Sequence, residues 1–392
     1  MAIEASTSKG VARRIRLGMV GGGQGAFIGA VHRIAARMDD RYELVAGALS
    51  ADAERARASA AELHIAPDRA YSGYRAMAQA EAQRPDGIDA VSIVTPNHLH
   101  VPIALAFLEA GIHVICDKPL SSTLSDAQAL VTAVRTSNCL FALTHNYSGY
   151  PMVRQARSMV AAGDLGDIRL VHAEYVQDWL STPLETTGQK QAAWRVDPAQ
   201  AGAGGSLGDI GTHAEHLARF ISGQQVQEVC ADLSTFVDGR KLDDNAHVLM
   251  RYGNGARGML WSSQVAPGNE NGLKVRVYGS KAGLEFRQEH PNQLWFTPLG
   301  GAPQLITRAG ATAGPAAAHA SRIPAGHPEG YLEAFAQLYT DFAEQLQARW
   351  EKRTPNPLAC HVPTIEDGLR GMQFIEAVVA SSQAGGRWTA VA

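Results

Sequence analysis

The feature that most constrains the fold is a glycine-rich loop placed between a short apolar strand and a helix. Residues 15–20 are apolar and predict a strand, residues 21–29 read Gly-Gly-Gly-Gln-Gly-Ala-Phe-Ile-Gly, and residues 30–38 predict a helix. A strand, a glycine loop and a helix in this order are typical of dinucleotide-binding folds, in which a pyrophosphate lies at the helix amino end.

The spacing of the glycines departs from the simple fingerprint. Gly21 and Gly23 fit the first two places, and the third falls on Ala26 or, if three residues are inserted, on Gly29. A glycine loop alone can also be an ordinary turn. The predicted cofactor contacts of this loop are Gly21, Gly23, Ala26, Phe27 and Ile28.

The residues after the second predicted strand, 42–49, bear on the choice of cofactor. A small Ser50 followed by Arg55 suits the 2′-phosphate of NADP, whereas Asp52 would suit the ribose hydroxyls of NAD or simply cap the next helix. We therefore predict NAD(P)(H) as cofactor, with a preference for NADP and with Ser50 and Arg55 as contacts.

Two further apolar strands, residues 88–94 and 112–116, also end abruptly in polar residues and prolines. In a parallel sheet such ends meet at one edge, and that edge is where open α/β sheets bind ligands. Pro119 allows a rigid, even cis, peptide bond after Lys118, although the alternative is a solvated Asp-Lys pair before a turn. The predicted contacts here are Thr95, Pro96, Asn97, His100, Asp117, Lys118 and Pro119.

Composition narrows the class of protein. With 392 residues the chain suits two domains, and a formal net charge of −3 without a basic block argues against nucleic acid as a partner. The cysteines are far apart and form no CxxC pair, so neither a disulfide framework nor a metal site is expected, which fits a reducing cytoplasm. No stretch approaches a membrane span, and residues 1–14 resemble a loose terminus.

A second chemical motif follows four glycines between residues 202 and 208. Asp209 and His213 are four apart, so we expect both on one face of a helix that begins near Gly208. A neutral imidazole can take a proton from a hydroxyl, and a nearby carboxylate can orient the ring. The alternative is a surface ion pair.

An aromatic and polar loop precedes that motif. Aromatic rings beside hydrogen-bonding groups suit a sugar, which has an apolar face and a polar rim, although buried tryptophans can equally anchor a loop. The predicted substrate contacts of this loop are Gln177, Trp179, Trp194 and Arg195.

Four of these motifs together resemble the glucose-fructose oxidoreductase, inositol dehydrogenase and MocA family. They are Gly21-x-Gly23, Thr95-Pro96-Asn97-x-x-His100, Asp117-Lys118-Pro119 and the segment 204–213. The resemblance covers residues 14 to 390; it departs in the longer glycine loop and in Asp117, where the family usually has Glu.

This resemblance implies an α/β fold. It consists of an N-terminal Rossmann domain with a doubly wound parallel sheet and a C-terminal α+β domain with a large, mostly antiparallel open sheet. We expect a loose tail over residues 1–14, a Rossmann domain over 15–146, a substrate and oligomerisation domain over 147–363, and a C-terminal helix and tail over 364–392. A second subunit would cover the open sheet face, so a homodimer or homotetramer is expected.

The resemblance also implies a function: oxidation or reduction of a secondary hydroxyl of a sugar or cyclitol with NAD or NADP. His213 would act as general base, Asp209 would position it, and Lys118 would donate to the same oxygen. The family places Asn146 near the nicotinamide and substrate, although it could lie in a surface turn, and Tyr147 joins the predicted substrate contacts. An NAD-assisted glycoside hydrolase and a dinucleotide-binding sugar sensor without turnover are the alternatives.

Residues 297–330 are rich in Pro, Gly and Ala with little periodicity, which predicts a surface loop or an active-site flap around His327. Two amphipathic helices, 331–351 and 365–382, are expected to pack on the Rossmann domain or behind the second sheet.

Overall fold

The structure, a computed structural model, describes residues 13–392, so most of the predicted N-terminal tail lies outside the described residues. A five-stranded parallel sheet occupies the N-terminal part in the order β2-β1-β3-β4-β5. Its strands are β1 (Ile15–Gly21), β2 (Tyr42–Ala48), β3 (Ala90–Val94), β4 (His113–Cys116) and β5 (Phe141–Leu143). The order reverses direction after β1, which confirms the predicted doubly wound sheet.

Helices connect these strands and cover both faces of the sheet. They are α1 (Phe27–Met38), α2 (Ala53–Glu62), α3 (Tyr74–Gln83), α4 (His100–Glu109) and α5 (Leu124–Thr136). Helix α1 buries Val31, Ala35 and Ala36 at the spacing of one helical face. Helix α3 begins only at Tyr74, since Tyr71 donates its backbone N–H to the carbonyl oxygen of Gly47 in β2.

The second sheet has nine strands in the order β13-β12-β11-β10-β6-β9-β8-β7-β14, which confirms a large, mostly antiparallel sheet. Among the described strands of this second sheet, only β6 and β9 pair in parallel. The strands are β6 (Ile168–Val176), β7 (Val226–Ser234), β8 (Asn245–Tyr252), β9 (Arg257–Ser263), β10 (Gly272–Gly279), β11 (Ala282–Arg287), β12 (Gln293–Pro298), β13 (Gln304–Thr307) and β14 (Thr389–Ala390).

Helices pack on one face of this sheet and leave the other face open. The helices of this part of the chain are α6 (Pro151–Ala161), α7 (Lys190–Arg195), α8 (Pro198–Ala201), α9 (Thr212–Ser222), α10 (Pro315–His319), α11 (Tyr331–Trp350) and α12 (Ile365–Gln383). On the open face, Leu249 pairs with Met259 and Leu170 with Tyr278, and all four side chains are exposed. An apolar sheet face of this kind is the surface on which the expected second subunit would pack.

The prediction for residues 297–330 was wrong in part, because the segment contains strand β13 and helix α10. Buried Arg308 organises its end, pairing with Glu329 at 2.9 Å and donating to the carbonyl oxygens of Ile323 and Pro324. His327 is exposed and does not line the cleft described below. The segment is therefore held against the body by Arg308, although Tyr331, which directly follows it, lines the cleft.

The two C-terminal helices reach back across both sheets. Helix α11 buries Phe335, Leu338 and Tyr339 in the cluster that covers one face of the parallel sheet, and α12 bonds strand β7 through Ser381 and Ser382. The Rossmann sheet is therefore completed by residues more than 180 positions after its last strand.

A buried ion pair joins α6 to α11. Arg154 donates to Asp341 at 2.5 Å with both side chains at most 1% exposed, and His319 and Gln337 also contact the Asp341 carboxylate. We expect Arg154→Met to lower the free energy of unfolding by about 3–5 kcal/mol, because it leaves a buried carboxylate without its main counter-charge. Urea denaturation followed by fluorescence measures this change.

The matched control is Arg135→Met, which breaks an exposed pair with Glu366. Its effect should stay within about 1 kcal/mol. Equal changes in the free energy of unfolding would show that the buried pair stabilises the fold no more than the exposed pair does.

Candidate active site

A cleft of about 480 Å³ opens at the carboxyl edge of the parallel sheet, where the second sheet meets it. It brings together residues predicted from loops far apart in the sequence. The predicted residues that line it are Phe27, Ile28, Thr95, Asn97, Asp117, Lys118, Pro119, Asn146, Tyr147, Gln177, Trp179, Trp194, Arg195, Asp209 and His213. Gly21, Gly23, Ala26, Ser50, Arg55, Pro96 and His100 lie outside its walls.

Lys118 and Asp209 form the centre of the cleft. The Lys118 ammonium donates to the main-chain oxygen of Asp209 at 2.6 Å and to its Oδ1 at 3.3 Å, and both side chains are largely buried. The Lys118–Pro119 peptide bond is cis. Lys118 comes from the end of β4, so this contact joins the parallel sheet to the second part of the chain.

Two more donors hold the other carboxylate oxygen of Asp209. Arg195 Nε and Gln264 Nε2 each donate to Oδ2 at 2.9 Å, and the Arg195 guanidinium lies 4.4 Å over the Trp194 ring. Burial alone would raise the pKa of the Asp209 carboxyl, but Arg195 and Lys118 outweigh it and hold that pKa well below its usual range. Asp209 is therefore ionised at neutral pH.

The expected helix with Asp209 and His213 on one face is partly wrong. Residues Leu207–Gly211 form a π-helical turn, and the regular helix α9 begins only at Thr212. Both side chains still line the cleft, but the Asp209 carboxylate bonds Lys118, Arg195 and Gln264 rather than the imidazole.

His213 lies in an aromatic setting. Its ring is 4.8 Å from that of Tyr147 and 5.5 Å from that of His145, both edge to face, and the side chain is 6% exposed. Burial lowers the pKa of His213 well below its ordinary value and the nearby Lys118 lowers it further, while Asp209 opposes this. A neutral imidazole, able to accept a proton, therefore faces the cleft.

Polar groups without partners also face this space. Asn146 Nδ2 and Thr95 Oγ1 are buried and make no hydrogen bond within the described residues. Asp117 Oδ1, in contrast, accepts from the backbone N–H of Lys118 at 2.8 Å and from Thr144 Oγ1 at 2.9 Å. The unpaired amide and hydroxyl are groups that a bound polar ligand would satisfy.

A network of neutral polar groups lines the side of the cleft near the second sheet. Tyr147 and Tyr175 share a hydrogen bond of 2.6 Å, Tyr175 donates to Asn271 at 2.7 Å, and Gln177 donates to the same Asn271 oxygen at 2.8 Å. Asn271 donates in turn to Gln288 at 2.7 Å. The sequence analysis missed Tyr175, Asn271 and Gln288, because only the pairing of β10 with β6 on one side and with β11 on the other brings them together.

The glycine loop has the close backbone contacts that a dinucleotide loop needs. Gly21 has a φ of +81°, and a Cβ there would lie 2.7 Å from the Val94 carbonyl oxygen. A Cβ on Gly29 would lie 2.4 Å from the Cα of Gly22, so the third glycine place belongs to Gly29 rather than to Ala26. Within the loop the backbone N–H groups of Gly23 and Ala26 are bonded to carbonyl oxygens. The start of α1, whose first N–H groups have no partner within the helix, is where a pyrophosphate would lie.

Ser50, Asp52 and Arg55 lie close together after the end of β2. Asp52 caps α2 by accepting the backbone N–H of Arg55 at 2.8 Å, which is the alternative foreseen for it. Ser50 Oγ accepts the N–H of Asp52, and the exposed Arg55 side chain makes no ion pair among the described residues.

His100 is buried behind the cleft wall. Its ring nitrogens lie 2.8 Å from the Pro119 carbonyl oxygen and 2.9 Å from that of Thr95, and burial lowers its pKa. It therefore ties together the two loops that border the cleft at this edge.

Known proteins are similar to this chain over most of its length. The family described as "Oxidoreductase family, NAD-binding Rossmann fold" matches residues 15–145, and the "GFO/IDH/MocA C-terminal domain" matches residues 153–285. The crystal structure of an oxidoreductase from Sinorhizobium meliloti is 56% identical, with a TM-score of 0.88 over 96% of this chain and 99% of that one.

Two similar proteins carry names that indicate an activity. An inositol dehydrogenase homologue from Azotobacter vinelandii, complexed with NADH and myo-inositol, is 40% identical with a TM-score of 0.89, over 97% of this chain and 98% of its own. Levoglucosan dehydrogenase from Pseudarthrobacter phenanthrenivorans is 30% identical over 72% of this chain and 76% of its own. The chain belongs to the glucose-fructose oxidoreductase, inositol dehydrogenase and MocA family of NAD-binding oxidoreductases.

Proposed function

We propose that this oxidoreductase transfers hydride between NAD(P) and a secondary hydroxyl, or the matching ketone, of a neutral sugar or cyclitol. The observation that carries the proposal is that Lys118 and a neutral His213 line one cleft, beside the unpaired Asn146 amide. The bound dinucleotide would supply the hydride acceptor at its nicotinamide ring, and the glycine loop and the carboxyl ends of β1, β3 and β4 would hold it.

Different residues of the cleft act on the proton and on the oxygen of the substrate hydroxyl. His213, uncharged and in the cleft, accepts the hydroxyl proton, while the Lys118 ammonium donates to the same oxygen and stabilises the negative charge that develops there. Asp209 holds Lys118 in place through two oxygen atoms and stays ionised as it does so.

The substrate class follows from the groups opposite Lys118. Tyr175, Asn271 and Gln177 are uncharged, and together they offer donors and acceptors to several hydroxyls at once. Trp179 and Trp194 add apolar surface to the same cleft. Such a lining favours a neutral polyol ring over an anionic substrate, and myo-inositol and levoglucosan, named for the relatives, belong in the first test panel.

We further propose a cytoplasmic location, an oligomeric assembly and the positions of the domain boundaries. All four cysteines are free, which fits a reducing cytoplasm, and within residues 13–392 no helix is long and apolar enough to cross a membrane. The open face of the nine-stranded sheet is proposed to pack on a second subunit, giving a homodimer or homotetramer. We also propose that the domain boundaries lie at residues 146/147 and 363/364.

Loss of either proton-handling residue should abolish most turnover. We expect Lys118→Ala and His213→Ala each to lower kcat by about 10²–10⁴-fold, the usual contribution of a general acid or base. Absorbance of the reduced nicotinamide, with NAD or NADP and a panel of inositols, aldoses and anhydrosugars, measures it. Lys281→Ala, an exposed lysine outside the cleft, is the control and should behave as wild type.

Near-full turnover of both variants would contradict the proposed chemistry. Cleavage of a nitrophenyl glycoside without net change of the cofactor would favour the hydrolase alternative, and dinucleotide binding without any turnover would favour the sensor.

The pH profile should reflect the depressed pKa of His213. Burial and Lys118 hold the pKa of the His213 imidazole well below its ordinary value of 6.5. We therefore expect kcat/KM for oxidation to show no loss from protonation of His213 until the pH is far below 6.5. Initial rates over a range of about pH 5 to 9 test this. A fall with a midpoint near 6.5 that disappears in His213→Gln would contradict the assignment.

The predicted NADP preference depends on Ser50 and Arg55. We expect Ser50→Asp to raise the KM for NADP by at least about tenfold relative to that for NAD, because a carboxylate at this place repels the 2′-phosphate. Arg55→Ala should also weaken the binding of NADP. Arg57→Ala, an exposed residue of the same helix, serves as the control. A wild-type KM lower for NAD than for NADP would overturn the preference.

A further inference from the structure

One residue outside the cleft holds the start of the helix that carries Asp209. The Asp243 carboxylate accepts the backbone N–H of Gly205 at 2.7 Å through Oδ1 and that of Leu207 at 2.8 Å through Oδ2. Its main-chain oxygen accepts the N–H of Ser206 at 2.8 Å. Three successive N–H groups, all at a helix start where such groups lack internal partners, are thus bonded by a single residue.

The turn held in this way is the π-helical turn of the active site. The Thr212 N–H donates to the Leu207 carbonyl five residues back, so the turn is wider than an α-helical one. Asp209 lies in its middle and offers two oxygens, one of the main chain and one of the side chain, to Lys118. The position of the turn therefore sets the position of both contacts to the Lys118 ammonium.

Packing leaves little freedom between Asp243 and the turn. A Cβ on Gly205 would lie 2.1 Å from the Asp243 carbonyl oxygen, and a Cβ on Gly211 would lie 3.0 Å from Ser262 Oγ. Glycines at these two places let the turn approach the Asp243 backbone and β9 closely. A small displacement of Asp243 would therefore shift the turn as a whole.

We propose that Asp243 is a positioning residue for the reaction: its carboxylate sets the place of the π-helical turn and, through Asp209, the place of the Lys118 ammonium. This role rests on the proposed function, since it matters only if Lys118 acts on the substrate oxygen. It also explains why a carboxylate, rather than a neutral side chain, occupies a site that disfavours charge.

The environment of Asp243 fits such a role. It is 8% exposed, and burial raises its pKa to about 6 although the N–H groups of Leu207 and Gly205 oppose this; the neighbouring Asp244 raises it further. Because the folded-state pKa is raised, the ionised form is less favourable in the fold than in the unfolded chain, and stability is lost as the pH rises through 6. Removing this charge should therefore not by itself unfold the protein.

Asp243→Asn separates positioning from stability. An amide has one oxygen and one NH₂ group, so it accepts from either Gly205 or Leu207 and turns a donor toward the other N–H. We expect kcat to fall at least about tenfold, as for a small misplacement of a reacting group. The melting temperature, the KM for the dinucleotide and its dissociation constant, from the fluorescence of bound NADH or NADPH, should stay near wild type.

The matched control is Asp244→Asn. Asp244 is also buried and its carboxylate also accepts two backbone N–H groups, but these belong to Phe236 and Val237, in a turn away from the cleft. The same carboxylate also pairs with buried Arg240 at 3.4 Å. The kcat of Asp244→Asn should be close to that of the wild type. If Asp243→Asn does not fold, Gly205→Ala displaces the same contact from the other side and is measured against the same criteria.

Two results would overturn the positioning role. One is an equal loss of kcat in Asp243→Asn and Asp244→Asn, and the other is a loss in Asp243→Asn that tracks a lower melting temperature or weaker dinucleotide binding. Lys118→Ala in the same assay separates the two proposals. If it retains full turnover the proposed function fails, whereas if it is impaired and Asp243→Asn is not, only the positioning role fails.

Discussion

The contact between Lys118 and Asp209 is the interaction on which the candidate active site depends. The lysine stands at the end of a strand of the parallel sheet, and the aspartate comes from a turn in the second part of the chain. Neither part contains the pair alone. The site therefore exists only where the two sheets are held together, and the contacts that α11 and α12 make with both of them belong to the function as much as to the fold.

The charges in the cleft are balanced so that two groups keep different protonation states. Lys118 and Arg195 both pair with Asp209, which keeps the aspartate ionised despite its burial. The same positive charge of Lys118, together with burial, keeps His213 neutral. One cationic residue therefore acts on the protonation of both neighbours. Removing it would thus change that protonation as well as the contact to Asp209.

Much of the fold could be predicted because its signals are local. Apolar runs that end in glycine, proline or charged residues identify parallel strands and the edge that they share, and this edge carries Lys118 and Thr95. The π-helical turn could not be predicted, because a spacing of four residues between Asp209 and His213 reads the same in either kind of helix. The short edge strand β13 was missed since half-exposed segments of four residues have no clear period.

The substrate side of the cleft was the least predictable part, and the reason is topological. Asn271 stands just before β10 and Gln288 just after β11, and each is an unremarkable polar residue in its own segment. Asn271 meets Tyr175 because β10 pairs antiparallel with β6, in a register that places Leu273 opposite Tyr175. Gln288 reaches Asn271 because β11 pairs with β10. Lys118 and Thr95 follow strand ends, a position that can be read from a single sequence. Asn271 and Gln288 owe their place in the cleft to sheet register, which a single sequence does not show.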